Sequence, residues 1–217
     1  MIEILKDKRN STLESSESEN EERINIIILG NSEVGKTCFI LRYTENKFQS
    51  VYLATIGTDF KVKTVKIKNK QYNLFFYDTT GQEKFRSIPL NSIKNAHGII
   101  LMYDITNKTS FESIPNWIKS IEDEKGKDFP LILLGNKIDK NEERVISEEE
   151  GIKLANEYGI EFYEISNKEN INVNEAGMAL INKILLRKED SDYNSSRTSH
   201  KLHRMRTGEQ DNSSKCC

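Results

Sequence analysis

The sequence predicts an α/β fold: a six-stranded, mostly parallel sheet with one antiparallel strand and helices on both faces. Two patterns predict it. Short apolar runs of strand length alternate with longer segments of helical periodicity, and that alternation closes as a parallel sheet covered on both sides. One pair of strands, 59–67 and 72–77, is separated by only Lys68-Asn69-Lys70-Gln71, too short for a crossover, so these two form an antiparallel hairpin.

The strands are expected at 24–29, 59–67, 72–77, 98–103, 131–135 and 161–165. Helices follow most of them, at 36–45, near 88–94, and at 112–124, 148–158 and 173–187. Pro115 falls in the first turn of the third helix, where the missing N–H costs nothing. Ser147 ahead of Glu148-Glu149-Glu150 has the form of a capping box. No internal repeat is visible.

The flanks differ in composition from this core. Residues 1–22 are acidic and Ser-rich, and residues 190–217 are polar with a mildly basic middle (Arg197, Lys201, Arg204, Arg206). Both are expected to be disordered, leaving one folded domain over 23–189. A chain of 217 residues is long enough for that domain and its core. The formal net charge of −2 gives no field that would gather nucleic acid. The 3 cysteines, Cys38 within the domain and Cys216-Cys217 at the end, make no disulfide framework and fit a reducing cytosol. The longest apolar stretch, 99–103, is a strand's length, so no membrane span is expected. A signal-peptide pattern is missing, and Ile2 excludes N-myristoylation.

Gly30-Asn31-Ser32-Glu33-Val34-Gly35-Lys36-Thr37 matches G-x-x-x-x-G-K-S/T between a strand and a helix, the context that makes the motif a phosphate loop. This makes the fold a P-loop NTPase. Backbone N–H groups from Ser32 to Cys38 can cradle phosphates at the helix N-terminus. Lys36 is expected to bridge the β- and γ-phosphates, and the Thr37 hydroxyl to bind Mg²⁺. Asp78, ending the third strand, is the second expected Mg²⁺ residue, acting through water.

A phosphate loop does not choose the base. Asn136-Lys137-Ile138-Asp139 follows the fifth strand at the carboxyl edge of the sheet, where ligands bind in such folds. The Asp139 carboxylate can accept from guanine's ring N–H and exocyclic amine together. Adenine lacks that donor pair, and a buried, unmatched carboxylate discriminates by about 10⁴-fold. Ser166-Asn167-Lys168, after the sixth strand, is expected to complete the base pocket, with the Asn167 backbone N–H on the guanine oxygen and Lys168 packed nearby.

These residues resemble the Ras superfamily, and the Rab family in particular. The resemblance runs from about Arg23 to Arg187 and includes Thr55-Ile56-Gly57-Thr58-Asp59-Phe60, the stretch 78–86, Tyr103-Asp104-Ile105-Thr106-Asn107 and the Cys-Cys ending. The runs 116–122 and 158–160 are most similar to the exocytic branch between Golgi and cell surface. The resemblance implies a slow GTPase that switches between GTP and GDP. It implies that Thr55 binds Mg²⁺ and senses the γ-phosphate, Gly81 donates its N–H to that phosphate, Gln82 orients the attacking water and Phe48 packs on the guanine. Phe60 and Tyr77 would belong to the effector surface, and Cys216 and Cys217 would carry geranylgeranyl chains. The partners implied are an exchange factor, a GTPase-activating protein, a GDP-dissociation inhibitor, a prenylation escort and effectors around a monomeric domain. The place implied is the cytoplasmic face of vesicle, Golgi or plasma membrane, in exchange with the cytosol.

The chain departs from the family pattern at several positions. Thr80 stands where alanine is usual, and a hydroxyl there would crowd the γ-phosphate or the water. An alternative reading is therefore a module that loads GTP and barely hydrolyses it. Glu33 puts an acid into the phosphate loop, tolerable if it points to solvent. Tyr77 replaces a tryptophan, Ser92-Ile93 a tyrosine pair, and Asn167 an alanine. A nucleotide kinase or ATPase on the same scaffold is opposed by Asn136–Asp139 and by Gly81-Gln82.

Overall fold

A computed structural model describes residues 22–48, 59–78 and 90–207. In chain order the elements are β1 (Glu22–Leu29), α1 (Lys36–Glu45), β2 (Asp59–Ile67), β3 (Lys70–Asp78), α2 (Leu90–Asn95), β4 (Gly98–Asp104), α3 (Lys108–Glu112), α4 (Ile114–Lys125), β5 (Leu131–Asn136), α5 (Glu148–Tyr158), β6 (Glu161–Ile165) and α6 (Val173–Thr207). The strands lie in the order β2-β3-β1-β4-β5-β6, with only the β2–β3 pair antiparallel. The predicted sheet is therefore the observed one.

Every residue of β4 and β5 is buried, because helices cover both faces of the sheet's middle. One core cluster packs Ile26, Ile28, Phe39, Tyr43, Met102, Leu180 and Ile184 beneath α1 and α6. The other packs Ile27, Leu101, Tyr103, Ile118, Ile121 and Ala155 on the opposite face. Each such fully buried aliphatic side chain contributes about 1.5–3 kcal/mol relative to exposure. In β3, next to the edge strand β2, the alternation of period two returns: Tyr72, Leu74 and Phe76 are buried, with half-buried residues between them.

The β2–β3 turn is two residues long, with Lys68 at φ 48° and Asn69 at φ 64°. Positive φ at both central positions matches the right-handed twist of the flanking strands, so pairing begins at once with Ile67 opposite Lys70. The capping box is present: Ser147 Oγ accepts from Glu150 N–H at 3.2 Å, and Glu150 Oε2 accepts from Ser147 N–H at 2.8 Å.

Two helices differ from expectation. The helix expected at 112–124 is α4, with Pro115 in its first turn, and a short further helix, α3, capped by Asn107, precedes it. The last helix runs to Thr207 rather than 187, so the polar segment expected to be a flexible tail from 190 is helical over its first part. Beyond Gly177 the sequence has no glycine or proline before Gly208. Once Val173, Ala176, Leu180, Ile181 and Ile184 seat the helix in the core, no backbone breaker ends it. Glu22, assigned to the arm, opens β1. Among the described residues, no helix is long and apolar enough to cross a membrane.

Candidate nucleotide-binding site

All the described site residues gather at the carboxyl ends of the parallel strands. The phosphate loop leaves β1, Asp78 ends β3, Asp104 ends β4, Asn136 ends β5, and Ser166-Asn167-Lys168 follow β6. Gly30, at φ 137°, lies against β4 so closely that a Cβ would sit 2.1 Å from the Met102 carbonyl oxygen. Only glycine lets the loop make this turn.

Lys36 is buried at the start of α1, and its Nζ donates to the carbonyls of Gly30 and Asn31, both at 2.7 Å. The loop's own backbone thus holds the ammonium at the mouth of the cradle. The Thr37 hydroxyl donates to Asp78 Oδ2 at 2.6 Å. Two residues 41 positions apart, each expected at the metal, are brought together as a hard hydroxyl–carboxylate pair. Such oxygen donors suit Mg²⁺, which takes one or two protein ligands and fills its octahedron with phosphate oxygens and water. Among the described residues no cluster of three or more acidic, histidine or cysteine side chains offers an all-protein cage, in keeping with that mode. Glu33 is exposed, at φ 65°, which meets the condition for an acid in this loop. Cys38 is half-buried, and burial holds its thiol pKa above the ordinary value.

The base loops are joined to the phosphate loop through two amides. Asn136 Nδ2 donates to the Val34 carbonyl at 2.7 Å, and Asn136 Oδ1 accepts from Asn167 N–H at 3.3 Å. Asn167 Nδ2 donates to the Gly35 carbonyl at 3.0 Å. Gly35, at φ 102°, leaves the space for this: a Cβ would lie 2.3 Å from Asn136 Nδ2. Asp139 accepts from Ser166 Oγ at 2.7 Å, and Lys168 Nζ stands 3.9 Å from its other oxygen. The carboxylate side chain is only 7% exposed, the desolvated setting that base discrimination requires. Phe48 lies three residues beyond α1, with the Arg42 guanidinium 5.9 Å over its ring.

Sequence reasoning missed two supporting residues. Asp104 pairs with Lys137 Nζ at 2.7 Å and accepts from the Thr106 N–H and hydroxyl, which sets Lys137 across the pocket. Its signal was the strand-end acid in the stretch 103–107, parallel to Asp78. Arg42 donates to the carbonyls of Asn167 and Lys168 at 2.8 and 2.9 Å, and nothing in its local sequence marks that role. Thr55, Thr80, Gly81, Gln82, Cys216 and Cys217 lie outside the described residues. Of the expected effector aromatics, Phe60 is exposed and stands 6.0 Å from the ring of Tyr77.

A G-x-x-x-x-G-K-T loop, a hydroxyl–carboxylate pair beside it and a buried acid in the loop after β5, all at one end of the sheet, are the features of a P-loop domain. Comparison with known proteins agrees. The Ras family model matches residues 25–186. The chain is 44% identical to Ras-related protein Rab-8B of Bos taurus over 173 residues, 79% of this chain and 84% of that one. It is 46% identical to Ras-related protein Rab-8A of Rattus norvegicus over 159 residues (73% and 77%), and 43% to Ras-related protein Rab-13 of Canis lupus familiaris over 162 (75% and 80%). The chain belongs to the Ras family, in its Rab branch near Rab-8 and Rab-13. It is a small GTPase that binds GTP and GDP with Mg²⁺, hydrolyses GTP to GDP and regulates vesicle transport.

Proposed function

We propose that this chain is a membrane-attached switch of exocytic transport, whose GTP state recruits effectors and whose GDP state is returned to the cytosol. The observation that supports the reading is the Asn136 joint, which ties the loops after β5 and β6, with the buried Asp139 between them, to the phosphate loop.

The reaction transfers the γ-phosphoryl group to water. The water oxygen bonds to the γ-phosphorus, the bond from that phosphorus to the β–γ bridging oxygen breaks, and GDP and inorganic phosphate leave. Catalysis of this kind is positioning and charge stabilisation. Lys36, held over the cradle, stabilises charge on the phosphates. Thr37, Asp78 and Thr55 would hold Mg²⁺, which would supply neutralising charge to the phosphates. In this reading Gln82 orients the water, and Gly81 and Thr55 read the γ-phosphate. With no arginine in the cradle, turnover is slow alone, and an activating protein adds about 10³–10⁵-fold. The family match does not favour the reading in which Thr80 disables hydrolysis.

An exchange factor, an activating protein, a GDP-dissociation inhibitor and a prenylation escort complete the cycle. Cys216 and Cys217 carry two lipid chains, since two are needed for stable anchoring. The working place is the cytoplasmic face of transport vesicles, Golgi or plasma membrane.

Nucleotide analysis of purified protein, with single-turnover hydrolysis of GTP and ATP, tests the enzyme. Bound adenine nucleotide, or equal hydrolysis of both, would overturn the base assignment. The Cys216→Ser/Cys217→Ser double variant should be cytosolic; continued fractionation with membranes would reject the anchor.

A further inference from the structure

We infer that Trp117, on α4 and outside the nucleotide site, is a positioning residue for the phosphate loop, acting through Asn31. The inference rests on the GTP-binding reading above and deepens it.

Asn31 is the second residue of the phosphate loop, and both ends of its side chain are held by the α3–α4 junction. Trp117 Nε1–H donates to Asn31 Oδ1 at 3.1 Å, and Asn31 Nδ2 donates to Ser113 Oγ at 3.1 Å. The Ser113 hydroxyl in turn donates to the Thr109 carbonyl at 2.7 Å, which fixes its orientation. These partners lie 82 and 86 residues away in sequence, so they report tertiary placement rather than a local turn.

The same residue supplies a carbonyl that accepts from Lys36 Nζ at 2.7 Å, as Gly30 does. A side chain gripped at both ends leaves its backbone little freedom, and here that backbone holds the ammonium. The chain of contact is therefore Trp117 indole, Asn31 amide, Asn31 carbonyl, Lys36 ammonium, phosphate. Two features suit Trp117 to the task. The indole N–H is a donor only, so its bond to Asn31 Oδ1 assigns the amide's orientation. Trp117 is also packed against the buried core beside Ile114, Ile118 and Ile121, so the donor is carried on a rigid wall. The consequence is that α4 has a direct mechanical hold on phosphate affinity, separate from base recognition through Asn136 and Asp139.

The test compares GDP and GMP on the full chain. Lys36 is expected at the β- and γ-phosphates, so loosening it weakens GDP and leaves GMP unchanged. Trp117→Phe, which keeps a ring and removes the donor, and Asn31→Ala should each speed GDP release by about 3–10-fold, the weight of one net hydrogen bond. The double variant should be no faster than the quicker single one, because both remove the same contact. GMP affinity, measured by competition, should stay within twofold of wild type. GDP release within twofold of wild type in both single variants would overturn the inference. So would additive effects, or equal weakening of GDP and GMP, which would mark a general loss of structure. Wild-type protein with no preference for guanine nucleotide would instead overturn the reading on which the inference rests.

Discussion

Replacing Asn136 by alanine should cut stability more than its small volume suggests. Asn136 is 2% exposed, donates to the Val34 carbonyl at 2.7 Å and accepts from the Asn167 N–H at 3.3 Å. Truncation strands one carbonyl and one N–H in the interior. Each buried group left unsatisfied costs about 1–3 kcal/mol, and the longer bond weighs less, so the loss should be about 2–4 kcal/mol. A domain of this size loses about 2–4 °C per kcal/mol, which puts the fall in Tm at about 5–15 °C. Thermal unfolding should be followed at two GDP concentrations, so that the ligand's mass-action contribution is separated from the intrinsic loss. A fall of less than 1 °C at both concentrations would refute the reasoning. Asn136→Asp sharpens the test. Its second oxygen would face the Val34 carbonyl with like polarity in a buried place, which raises its folded pKa above the ordinary unfolded value of about 3.9. The folded state then binds more protons, so this variant gains stability relative to wild type as pH falls and the protonated carboxyl donates to Val34. An unchanged difference between pH 7.5 and pH 5 would show that the amide is not the donor to Val34.

Three further outcomes are expected. EDTA should speed GDP release from wild type but not from Asp78→Ala; equal acceleration of both would remove Asp78 from the metal site. Glu33→Gly should slow GDP release, most at low ionic strength, because it removes an exposed acid near the phosphates and a strained positive φ; an effect that does not vary with salt would discount the charge. His97 Nδ1 accepts from Asn25 N–H at 2.8 Å, and burial, then Lys188 and Lys125, hold its pKa below 6.5 against the opposing pull of Glu22. Its contribution to stability is present above the unfolded value of about 6.5 and is lost as pH falls through the lower folded one. The slope of unfolding free energy against pH over that range should therefore flatten in His97→Gln, and an unaltered slope would clear His97 of the effect.

Most of the fold was legible because the strands that matter are unambiguous. The runs at 59–67 and 161–165 and the helices at 36–45 and 148–158 carry their own stops, in Gly35, Asn46, Ser147 and Gly159, and they match the observed bounds. The failures have local causes. Helix α3 has one buried residue, Ser110, and so no apolar stripe to read, whereas Ile114, Ile118 and Ile121 mark α4 plainly. The far end of α6 is mostly polar, and its composition suggested disorder where the sequence contains no glycine or proline. In the site, Lys36, Thr37, Asp78, Asn136 and Asp139 announced themselves because their chemistry is tied to fixed spacing. The roles of Arg42, Asp104 and the Asn167 side chain depend on contacts made across the sheet edge, which spacing along the chain does not encode. Asn167 was expected to act through its backbone, yet its amide also reaches the Gly35 carbonyl.

The ion pairs at the opposite end of the sheet have a consequence for posture. Lys188 of α6 is paired with Glu22 at the start of β1, and Glu22 is also held by Lys70 beside the hairpin's turn. The final helix is thus bolted to the pole farthest from the strand ends that form the nucleotide pocket, and it departs from there. Beyond Lys188 it continues to Thr207 as a spar of about 1.5 Å per residue. The helix therefore leaves the domain on the side away from the nucleotide pocket, and it does not cover the pocket's rim.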